Sequence, residues 1–410
     1  MTKIEKKKAP TLRFPEFTED WEERKLGDVV GEIQSGNRLP KDSLTNGDVP
    51  YVVAQTKNDG VFKKIARGTL DYNGNPMKLF PGNSISFSID NPEAMFYRNA
   101  EFYTSNIMRV IHEDHLTHEQ YVFILENMKR FIRGYDWSRK FSGPVVSNLE
   151  YLQPSEEEQQ KIGSFFKQLD DTIALHQRKL DLLKEQKKGY LQKMFPKNGA
   201  KVPELRFAGF ADDWEERKLE DISEIIDGDR GKNYPSGDDF KNNGHTLFLS
   251  AANVTKQGFV FKETQYITKL KSESLGSGKV ILNDIILTSR GSIGHIGFYD
   301  KKTHEYIPQA RINSGMLILR TDKLNSPSFI AQFLKSPWGI KQIKLISFGS
   351  AQPQLTKKDI KNFKIILPKM EEQQKIGSFF KQLDDIIALH QRKLDLLKEQ
   401  KKGFLQKMFV

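Results

Sequence analysis

The clearest pattern of hydrophobic and polar positions in this chain is a heptad repeat that occurs twice. Residues 157–195 and 371–409 are identical at all but two of their 39 positions. The two differences are Thr172 against Ile386 and Tyr190 against Phe404. Both segments lack proline, and their apolar residues recur at alternating spacings of three and four, which predicts a helix with a coiled-coil seam. At 1.5 Å per residue, each helix would be roughly 58 Å long.

The predicted seam comprises Ile162, Phe166, Leu169, Ile173, Leu180 and Leu183 in the first copy, and Ile376, Phe380, Leu383, Ile387, Leu394 and Leu397 in the second. A single helix of this kind needs a partner, and the two copies can pair antiparallel if a two-fold axis relates the two halves. Four polar residues also fall in the seam: His176, Lys187, His390 and Lys401. They either fix the register or lie solvated at a frayed edge. Phe165 and Phe379 widen the apolar stripe, which favours additional helices from another protein.

A shorter repeat precedes each variable region. Residues 12–26 read LRFPEFTEDWEERKL and residues 205–219 read LRFAGFADDWEERKL; we call these segments the LRF motifs. The order is therefore LRF motif, variable domain and long helix, and then the same again. This order predicts a first variable domain at 1–156, a central helix at 157–196, a second variable domain at 197–370 and a C-terminal helix at 371–410. Ser155 followed by Glu158 also predicts a capping box at the start of the first long helix.

Both variable domains alternate short β-branched and aromatic runs with Gly, Asn and Pro, which indicates strands joined by turns. The predicted strands are VPYVVAQT, NSISFSI and NIMRVI in the first domain, and TLFLSAANV, KVILNDIILTS, HIGFYD and SGMLILR in the second. Helices are predicted at 117–133 and 326–346, so each domain mixes α and β structure. Weak correspondences indicate divergent versions of one fold. They are Gly36 and Arg38 with Gly228 and Arg230, GDVPYVVA with GHTLFLSA, and NDGVFKK with KQGFVFK.

Composition narrows the chemistry. The 410 residues include no cysteine, which excludes disulfides, thiolate metal sites and cysteine nucleophiles. No apolar run approaches the ~20 residues that span a bilayer, and the basic N-terminus lacks a secretory signal, so we expect a cytoplasmic protein. The net charge of +11 fits either an ordinary basic protein or one that binds nucleic-acid phosphates.

Motifs of nucleotide and methyl-transfer chemistry do not occur. Asn91-Pro92-Glu93-Ala94 lacks the second proline and the aromatic residue of an adenine methyltransferase motif. The glycines at 228–233 and at 291–297 match neither a P-loop nor a dinucleotide fingerprint. A small cluster of His112, His115 and His118 leaves open an enzyme with an unrecognised metal site.

These features together resemble the specificity subunit of type I restriction-modification enzymes. The resemblance is carried by two variable domains, each followed by a helix that opens with EEQQKIGSFF, by the LRF…W…RKL segments and by the lead-in GSAQPQLTKKDIKNFKIILP. It covers essentially the whole chain. The lead-in to the first helix, FSGPVVSNLEYLQPS, is shorter and lacks the Gln-Pro-Gln element, so roles of residues in the first domain carry over less directly.

The resemblance implies an α+β fold with two mixed α/β target-recognition domains, separated by two long helices that form an antiparallel coiled coil in a pseudo-two-fold arrangement. Each domain would read one half of a split site in double-stranded DNA. The helices would set the spacing of the halves and dock two modification subunits, in a bacterial or archaeal cytoplasm. S-adenosylmethionine, ATP and Mg would belong to the modification and restriction subunits, and this chain would bind no metal or cofactor and carry no catalytic residue. A stand-alone DNA-binding regulator or scaffold with the same fold is the alternative.

Polar residues in loops beside strands are the candidate DNA contacts, because Arg, Lys, Asn, Gln, Ser and Thr read base edges and grip phosphates. In the first domain they are Arg38, Gln55, Lys57, Asn58, Tyr97, Arg98, Arg139 and Ser142. In the second they are Arg230, Lys232, Asn233, Tyr234, Asn253, Ser289, Arg290, Ser292, Gln352 and Gln354. Each is otherwise an ordinary solvated or turn-forming residue.

Overall fold

A computed structural model of the chain describes residues 9–38, 46–91, 93–136, 138–197, 200–347 and 354–409. The strands of the first half are β1 Glu22–Lys25, β2 Gln34–Ser35, β3 Asn46–Val52, β4 Val61–Ile65, β5 Ser84–Ser88, β6 Met95–Arg98, β7 Tyr103–Thr104, β8 Met108–Ile111 and β9 Glu150–Gln153. Its helices are α1 Leu26–Val30, α2 His118–Phe131, α3 Gly143–Ser147 and α4 Glu156–Lys193.

The second half repeats this order with additional short elements. Its strands are β10 Glu215–Lys218, β11 Ser223–Asp227, β12 Thr246–Leu249, β13 Val254–Thr255, β14 Gly258–Phe259, β15 Tyr266–Ile267, β16 Lys279–Val280, β17 Ile285–Thr288, β18 Ile296–Phe298, β19 Ala310–Ile312, β20 Met316–Thr321 and β21 Lys364–Leu367. Its helices are α5 Leu219–Ile222, α6 Lys269–Glu273, α7 Lys301–Tyr306, α8 Pro327–Lys335, α9 Pro337–Ser347, α10 Lys357–Lys361 and α11 Met370–Lys407.

The chain divides into two compact units. The first contains residues 1–178 and 391–410, and the second contains residues 179–390. The boundary falls inside both α4 and α11, so each unit consists of one globular domain with part of each long helix. Each long helix therefore contributes residues to both units.

In the first unit, one antiparallel sheet has the strand order β2-β8-β5-β6. A second sheet has the order β4-β3-β7, in which β3 and β7 run parallel. Helix α2 covers the first sheet and buries Tyr121, Phe123 and Ile124 against Phe87. The LRF motif supplies β1, which pairs with β9 just before α4 begins.

The second unit has the same plan. An antiparallel sheet β11-β20-β17-β18 corresponds to the first sheet of unit 1, and the sheet β15-β12-β19-β16 contains the parallel pair β12 and β19. Strand β10 of the second LRF motif pairs with β21. The matched strings GDVPYVVA and GHTLFLSA lie on the corresponding strands β3 and β12. The third pair diverges, since β4 pairs with β3 whereas β14 forms a hairpin with β13.

Two predicted elements are shorter in the structure. The helix predicted at 326–346 is divided at Ser336, because Pro337 lacks the N–H that would continue α8. The strand predicted in KVILNDIILTS is also divided into β16 and β17, and between them Asn283 has a left-handed backbone with φ of 71°. The other predicted strands and the helix at 117–133 appear with ends that differ by a few residues.

The long helices are antiparallel inside each unit. In unit 1 the rings of Phe165 and Phe404 lie 5.0 Å apart, and Lys401 Nζ lies 2.8 Å from Asp170 Oδ1. In unit 2 the rings of Tyr190 and Phe379 lie 4.9 Å apart, and Lys187 Nζ lies 2.6 Å from Asp384 Oδ1. Among the predicted seam residues, those that are buried are Ile162, Phe166, Leu180, Ile376, Phe380, Leu383 and Leu394. The remaining seam positions are half-buried: Leu169, Ile173, Leu183, Ile387 and Leu397.

The two lysines of the seam are engaged in ion pairs. Lys401 bonds both Asp170 and Glu126 in unit 1, and Lys187 bonds Asp384 at 2.6 Å in unit 2. The Lys401–Asp170 and Lys187–Asp384 pairs each join one long helix to the other at a defined position along the helices. Of the two alternatives, this geometry supports lysines that fix the register of the helices.

Each LRF motif is hydrogen-bonded to the first turn of a long helix. Arg13 donates two hydrogen bonds of 2.7 Å to the carboxylate of Glu158, and Arg206 does the same to Glu372. The predicted capping box is therefore half realised. The hydroxyl of Ser155 accepts from the backbone N–H of Glu158 at 3.4 Å, but the Glu158 carboxylate binds Arg13 instead of returning to the cap.

Candidate nucleic-acid interface

In unit 1, four loops meet at one end of the sheet β2-β8-β5-β6: residues 36–38, 89–91, 104–107 and 139–142. The backbone N–H of Asn37 donates to the carbonyl of Thr104 at 3.0 Å. The N–H of Ile89 donates to Ile107, and the N–H of Phe141 donates to Ile89, at 3.1 and 3.0 Å. Backbone bonds thus join the four loops into one surface, which we call the four-loop face of unit 1.

Unit 2 has a corresponding four-loop face built from residues 228–230, 289–291, 313–315 and 354–355. The N–H of Ser289 donates to Gly315 at 2.8 Å, and the N–H of Leu355 donates to Ser289 at 2.9 Å. Gly228 packs directly on Asn313. These connections repeat those of unit 1, so the two domains present the same loops with different side chains.

A glycine fixes the first loop of each face. A Cβ atom on Gly36 would lie 2.3 Å from the carbonyl oxygen of Thr104, and one on Gly228 would lie 2.0 Å from that of Asn313. A side chain at either position would force the two loops apart. Two residues later in each case stands an exposed arginine, Arg38 or Arg230. The sequence correspondence between these pairs therefore marks equivalent places in the two domains.

The arginines of the second face are held in place. Arg230 Nη2 donates to the carbonyl of Ser314 at 3.3 Å and lies 3.7 Å from Asp227 Oδ1. Arg290 Nε donates to Gln354 Oε1 at 3.2 Å. These contacts bring together three of the residues predicted from the sequence to contact DNA.

In unit 1, the place of Arg290 and Gln354 is taken by an ion pair. Lys140 Nζ lies 3.6 Å from Asp90 Oδ1, next to the exposed Arg139. Arg139 and the half-buried Ser142 belong to the four-loop face of unit 1, because both lie in its loop 139–142. This difference shows how two equivalent surfaces carry different polar groups.

Three predicted residues share a turn outside the four-loop face of unit 1. Gln55 Nε2 and Asn58 Nδ2 both donate to the carbonyl of Val61, at 3.1 and 3.3 Å, and Lys57 lies exposed between them. Asn58 has a left-handed backbone with φ of 49°, a conformation that Asn tolerates better than most residues. The turn projects its polar side chains after β3.

Three predicted contacts are buried: Arg98, Asn253 and Ser289. Arg98 Nε donates to Ser86 Oγ at 2.8 Å, and burial lowers the pKa of Arg98 to about 10. Asn253 Nδ2 donates to the carbonyl of Glu263 at 2.8 Å. Because they are buried, these three side chains support the loops from inside the protein and leave DNA contacts to the exposed residues.

The remaining predicted residues are scattered around the two faces. Tyr97 is half-buried and donates its hydroxyl to Asn83 Oδ1 at 2.9 Å. Asn233 Nδ2 donates to the carbonyl of Ser274 at 3.0 Å. Lys232 is exposed and Tyr234 is half-buried on either side of Asn233, and the exposed Ser292 follows loop 289–291 of the four-loop face of unit 2. Gln352 lies outside the described residues.

Sequence reasoning missed the residues that brace the first loop of each face. The middle residue between glycine and arginine is Asn37 in unit 1 and Asp229 in unit 2. The Asp229 carboxylate accepts the backbone N–H groups of Gly231 and Gly276, each at 2.6 Å. These bonds, that of Gly231 first, lower the pKa of Asp229. The Gly-polar-Arg correspondence contained both residues, and their acceptor chemistry was the signal that could have identified them.

The histidine cluster separates in the structure. His112 Nε2 lies 3.2 Å from Asp114 Oδ1, His115 Nδ1 lies 3.8 Å from Glu113 Oε2, and the ring of His118 packs on Tyr97. In the described ranges, no group of three His, Asp or Glu side chains is arranged to hold a metal ion. Among the helices described, none is both long and apolar enough to cross a membrane.

A family model for the type I restriction modification DNA specificity domain matches residues 18–185 and again residues 211–399. The chain belongs to this family. Each match begins inside an LRF motif and ends inside a long helix, so the family domain is present twice. The chain is accordingly a type I restriction-modification specificity subunit with two target-recognition domains.

Curated relatives extend over nearly the whole chain. The type I restriction enzyme MjaVIII specificity subunit of Methanocaldococcus jannaschii is 24% identical over 96% of this chain and 92% of its own length. The putative type I specificity subunit S.MpnORF507P of Mycoplasma pneumoniae is 23% identical over 94% of this chain and 96% of its own. Similarity at this level extends through both domains and both long helices.

Solved structures share the fold. The specificity subunit of a type I restriction-modification system from M. genitalium superimposes with a TM-score of 0.66 at 15% identity, covering 98% of this chain and 99% of that one. A chain from a structural study of complex assembly and conformational transition in the type I system gives a TM-score of 0.51 at 17% identity, covering 95% and 97%. The expected architecture is therefore confirmed at the level of the fold.

Proposed function

We propose that this subunit reads a bipartite DNA sequence, with one half bound by the four-loop face of each unit. The observation that carries the proposal is the repetition of that face, with Arg38 and Arg230 at equivalent positions after a close-packed glycine. Guanidinium groups bond the O6 and N7 atoms of guanine in the major groove. The net charge of +11 supports binding to a polyanion such as DNA, but it carries no information about which base sequence is bound.

Contacts to bases and to phosphates are divided between different side chains in this proposal. The base-reading candidates are the arginines of the two faces together with Gln354. The phosphate-binding candidates are exposed lysines and amides, among them Lys57, Asn58, Lys232 and Asn233. Phosphate contacts position the protein, and base contacts distinguish one sequence from another.

The long helices are proposed to dock modification subunits. Leu175 and Leu396 are exposed on the helix pair of unit 1, at 58% and 54%, and Leu182 and Leu389 on that of unit 2, at 59% and 63%. Leucines that remain exposed at equivalent positions of both repeats fit two copies of one partner. That partner would supply S-adenosylmethionine chemistry on adenine, and restriction subunits would supply ATP-driven cleavage with Mg. This chain would recognise DNA without catalysing either reaction.

The test is to express the chain with and without the modification subunit from its own genome and to map N6-methyladenine across a host chromosome. Methylation at a single two-part motif, only when both proteins are present, is the expected result. Methylation by this chain alone would contradict a purely recognising role. Specific DNA binding without any associated methyltransferase would favour the stand-alone regulator instead.

A further inference from the structure

We propose that Tyr72 is a specificity-determining residue that positions Arg38 to read a guanine in the first half of the target. This inference rests on the proposed function and names the chemistry of one contact within it. Tyr72 lies in the turn after Asp71, a segment that the sequence patterns did not single out.

The two side chains are stacked. The Cζ atom of Arg38 lies 4.6 Å from the centroid of the Tyr72 ring, and the backbone N–H of Tyr72 donates to the carbonyl of Arg38 at 2.7 Å. Both residues are exposed, Tyr72 at 56%. In the part of the chain that the structure describes, the Arg38 guanidinium forms no hydrogen bond or ion pair. Its N–H donors are therefore available to a ligand while its plane rests against the ring.

The turn that carries Tyr72 is itself rigidly attached to the loop that carries Arg38. Asp71 Oδ1 accepts the backbone N–H groups of Asn73 and Asn75 at 2.9 and 3.0 Å, and Asp71 Oδ2 accepts Asn37 Nδ2 at 3.1 Å. Asn37 Oδ1 accepts the backbone N–H of Lys78 at 2.9 Å. The hydrogen bonds that Asp71 accepts, that of Asn75 first, lower the pKa of Asp71 and so favour its ionised form. The ring therefore cannot move away from the loop without breaking several hydrogen bonds.

Stacking prepares an arginine for recognition of guanine. An exposed arginine loses side-chain entropy when it is fixed, and a ring that already holds the guanidinium reduces that loss on binding. The free edge of the planar fork matches the O6 and N7 acceptors of guanine. An exposed lysine at this position could not use the ring in the same way, since its ammonium is a compact point charge.

The equivalent arginine of unit 2 is held by other means. Arg230 bonds the carbonyl of Ser314 and lies near Asp227, and in the described residues no aromatic ring stacks on it. Tyr72 thus acts on the first half of the target alone. The second half serves as an internal control in every experiment on Tyr72.

The experiment measures DNA binding by fluorescence anisotropy with the full chain in complex with its modification subunit. The probe is the mapped target duplex, and each guanine of either half is replaced in turn by 7-deazaguanine, which lacks the N7 acceptor. We expect that replacing one particular guanine of the first half by 7-deazaguanine lowers the affinity of the wild type roughly tenfold. Arg38→Ala should lose a similar factor and become insensitive to that replacement.

Variants of Tyr72 then separate positioning from direct contact. Tyr72→Ala should weaken binding severalfold and reduce the sensitivity to 7-deazaguanine in the first half only. Tyr72→Phe keeps the ring and should behave as the wild type. Thermal unfolding of each complex checks that the domain remains folded.

The inference would be overturned by wild-type affinity and sensitivity in Tyr72→Ala, by an equal loss of affinity in Tyr72→Phe, or by a first half-site without guanine. Equal loss in both halves would also overturn it, because the effect would then not be local to Arg38. A wild-type complex that prefers no DNA sequence would instead refute the proposed function itself.

Discussion

The carbonyl oxygen of Glu119 lies 2.0 Å from the point where a Cβ atom on Gly163 would stand. The start of α2 therefore packs on α4 at a glycine, and backbone atoms leave no room for a side chain. We expect Gly163→Ala to destabilise unit 1 by roughly 1–3 kcal/mol, because the two helices would have to separate. Urea unfolding of the full chain, with hydrogen exchange to locate the loss in unit 1, measures this effect.

The repeated sequence supplies matched controls for that substitution. At Gly377, the counterpart in α11, the nearest atom to an added Cβ is the Ser328 hydroxyl at 2.2 Å, and a side chain can rotate away. Gly377→Ala should therefore cost less than Gly163→Ala. Gly189 has nothing within 4 Å, so Gly189→Ala should be neutral or stabilise α4 by about 0.5–1 kcal/mol. Equal effects at all three positions would contradict the packing described.

One difference between the two LRF motifs is a hydrogen bond of the tryptophan, which predicts unequal effects of the same substitution. Trp21 Nε1 donates to Glu158 Oε2 at 3.1 Å, whereas the buried Trp214 Nε1 has no partner in the described residues. Trp21→Phe removes a hydrogen bond to a buried carboxylate and Trp214→Phe removes an unpaired donor. We expect the first to cost about 1–3 kcal/mol more than the second.

Chemical unfolding with hydrogen exchange in each unit measures the difference between the tryptophan variants. The lost ring volume is the same in both and cancels in the comparison. A larger loss from Trp214→Phe would show that packing outweighs the bond to Glu158. Arg13→Lys and Arg206→Lys form a second matched pair, since lysine cannot replace either two-bond fork, and both should destabilise to a similar extent.

The sequence predicted the features that depend on neighbouring residues. The heptad spacing of Leu180 and Leu394 identified seam positions, and local alternation identified strands such as β5 and β20. The order of residues was also enough to divide the chain into repeats, because the long helices are nearly identical between the two halves and the LRF motifs share 11 of their 15 residues. These signals lie within short stretches of sequence, because the regular backbone geometry of a helix or strand determines which nearby residues share a face.

What the sequence did not predict depends on distant contacts. The LRF motif was recognised as a repeat, but its role was not, since Arg13 and Glu158 are 145 positions apart. Polarity placed Arg98 among the DNA contacts, yet its methylenes and guanidinium are enclosed by neighbouring strands. Tyr72 was overlooked because a single exposed aromatic residue in a turn has no periodic pattern. Only the folded chain shows which polar groups remain available to a ligand.

The helix position that meets the seam lysine carries opposite charges in the two domains. It is Glu126 in α2 and Lys335 in α8, each nine residues after its N-cap, Thr117 or Ser326. Burial of Lys335, followed by the positive charge of Lys187, lowers the pKa of Lys335 to about 8, against the opposing effect of Asp384. Unit 2 thus holds a second lysine beside the Lys187–Asp384 pair, where unit 1 holds a second carboxylate, Glu126, beside the Lys401–Asp170 pair.

This lowered pKa predicts stability that increases with pH. Between about pH 8 and the ordinary value near 10.5, the unfolded chain binds the Lys335 proton and the folded chain does not. The free energy of unfolding should therefore rise over that window, by up to about 3 kcal/mol, and the gain should be absent below pH 8. Lys335→Met should stabilise the protein at pH 7 and remove this rise. Urea titrations at a series of pH values measure it.

Comparison with a surface lysine isolates the effect of Lys335. Lys344 is exposed on α9, and Lys344→Met should leave the pH dependence of unfolding as in the wild type. Subtracting the two curves removes the titration of tyrosines and other lysines. A Lys335→Met curve parallel to that of the wild type between pH 8 and 10 would refute the prediction.

The exposed leucines of the long helices predict the stoichiometry of the complex. Leu175→Gln with Leu396→Gln changes only unit 1, and Leu182→Gln with Leu389→Gln changes only unit 2. Each pair of substitutions should reduce the number of bound modification subunits from two to one, because equivalent apolar contacts are lost at one site. All four together should abolish binding. Native mass spectrometry of the co-expressed complex counts the subunits directly.

The same variants should remain folded, since these leucines contribute little to either core. Thermal unfolding of the isolated chain should stay within a few degrees of the wild type, whereas Leu169→Asp with Leu383→Asp, in the seam, should lower it strongly. Leu270→Gln and Leu324→Gln are the matched controls, because these leucines are 80% and 79% exposed and lie outside the long helices. If the controls weaken assembly as much as the helix variants do, the docking site lies elsewhere on the chain.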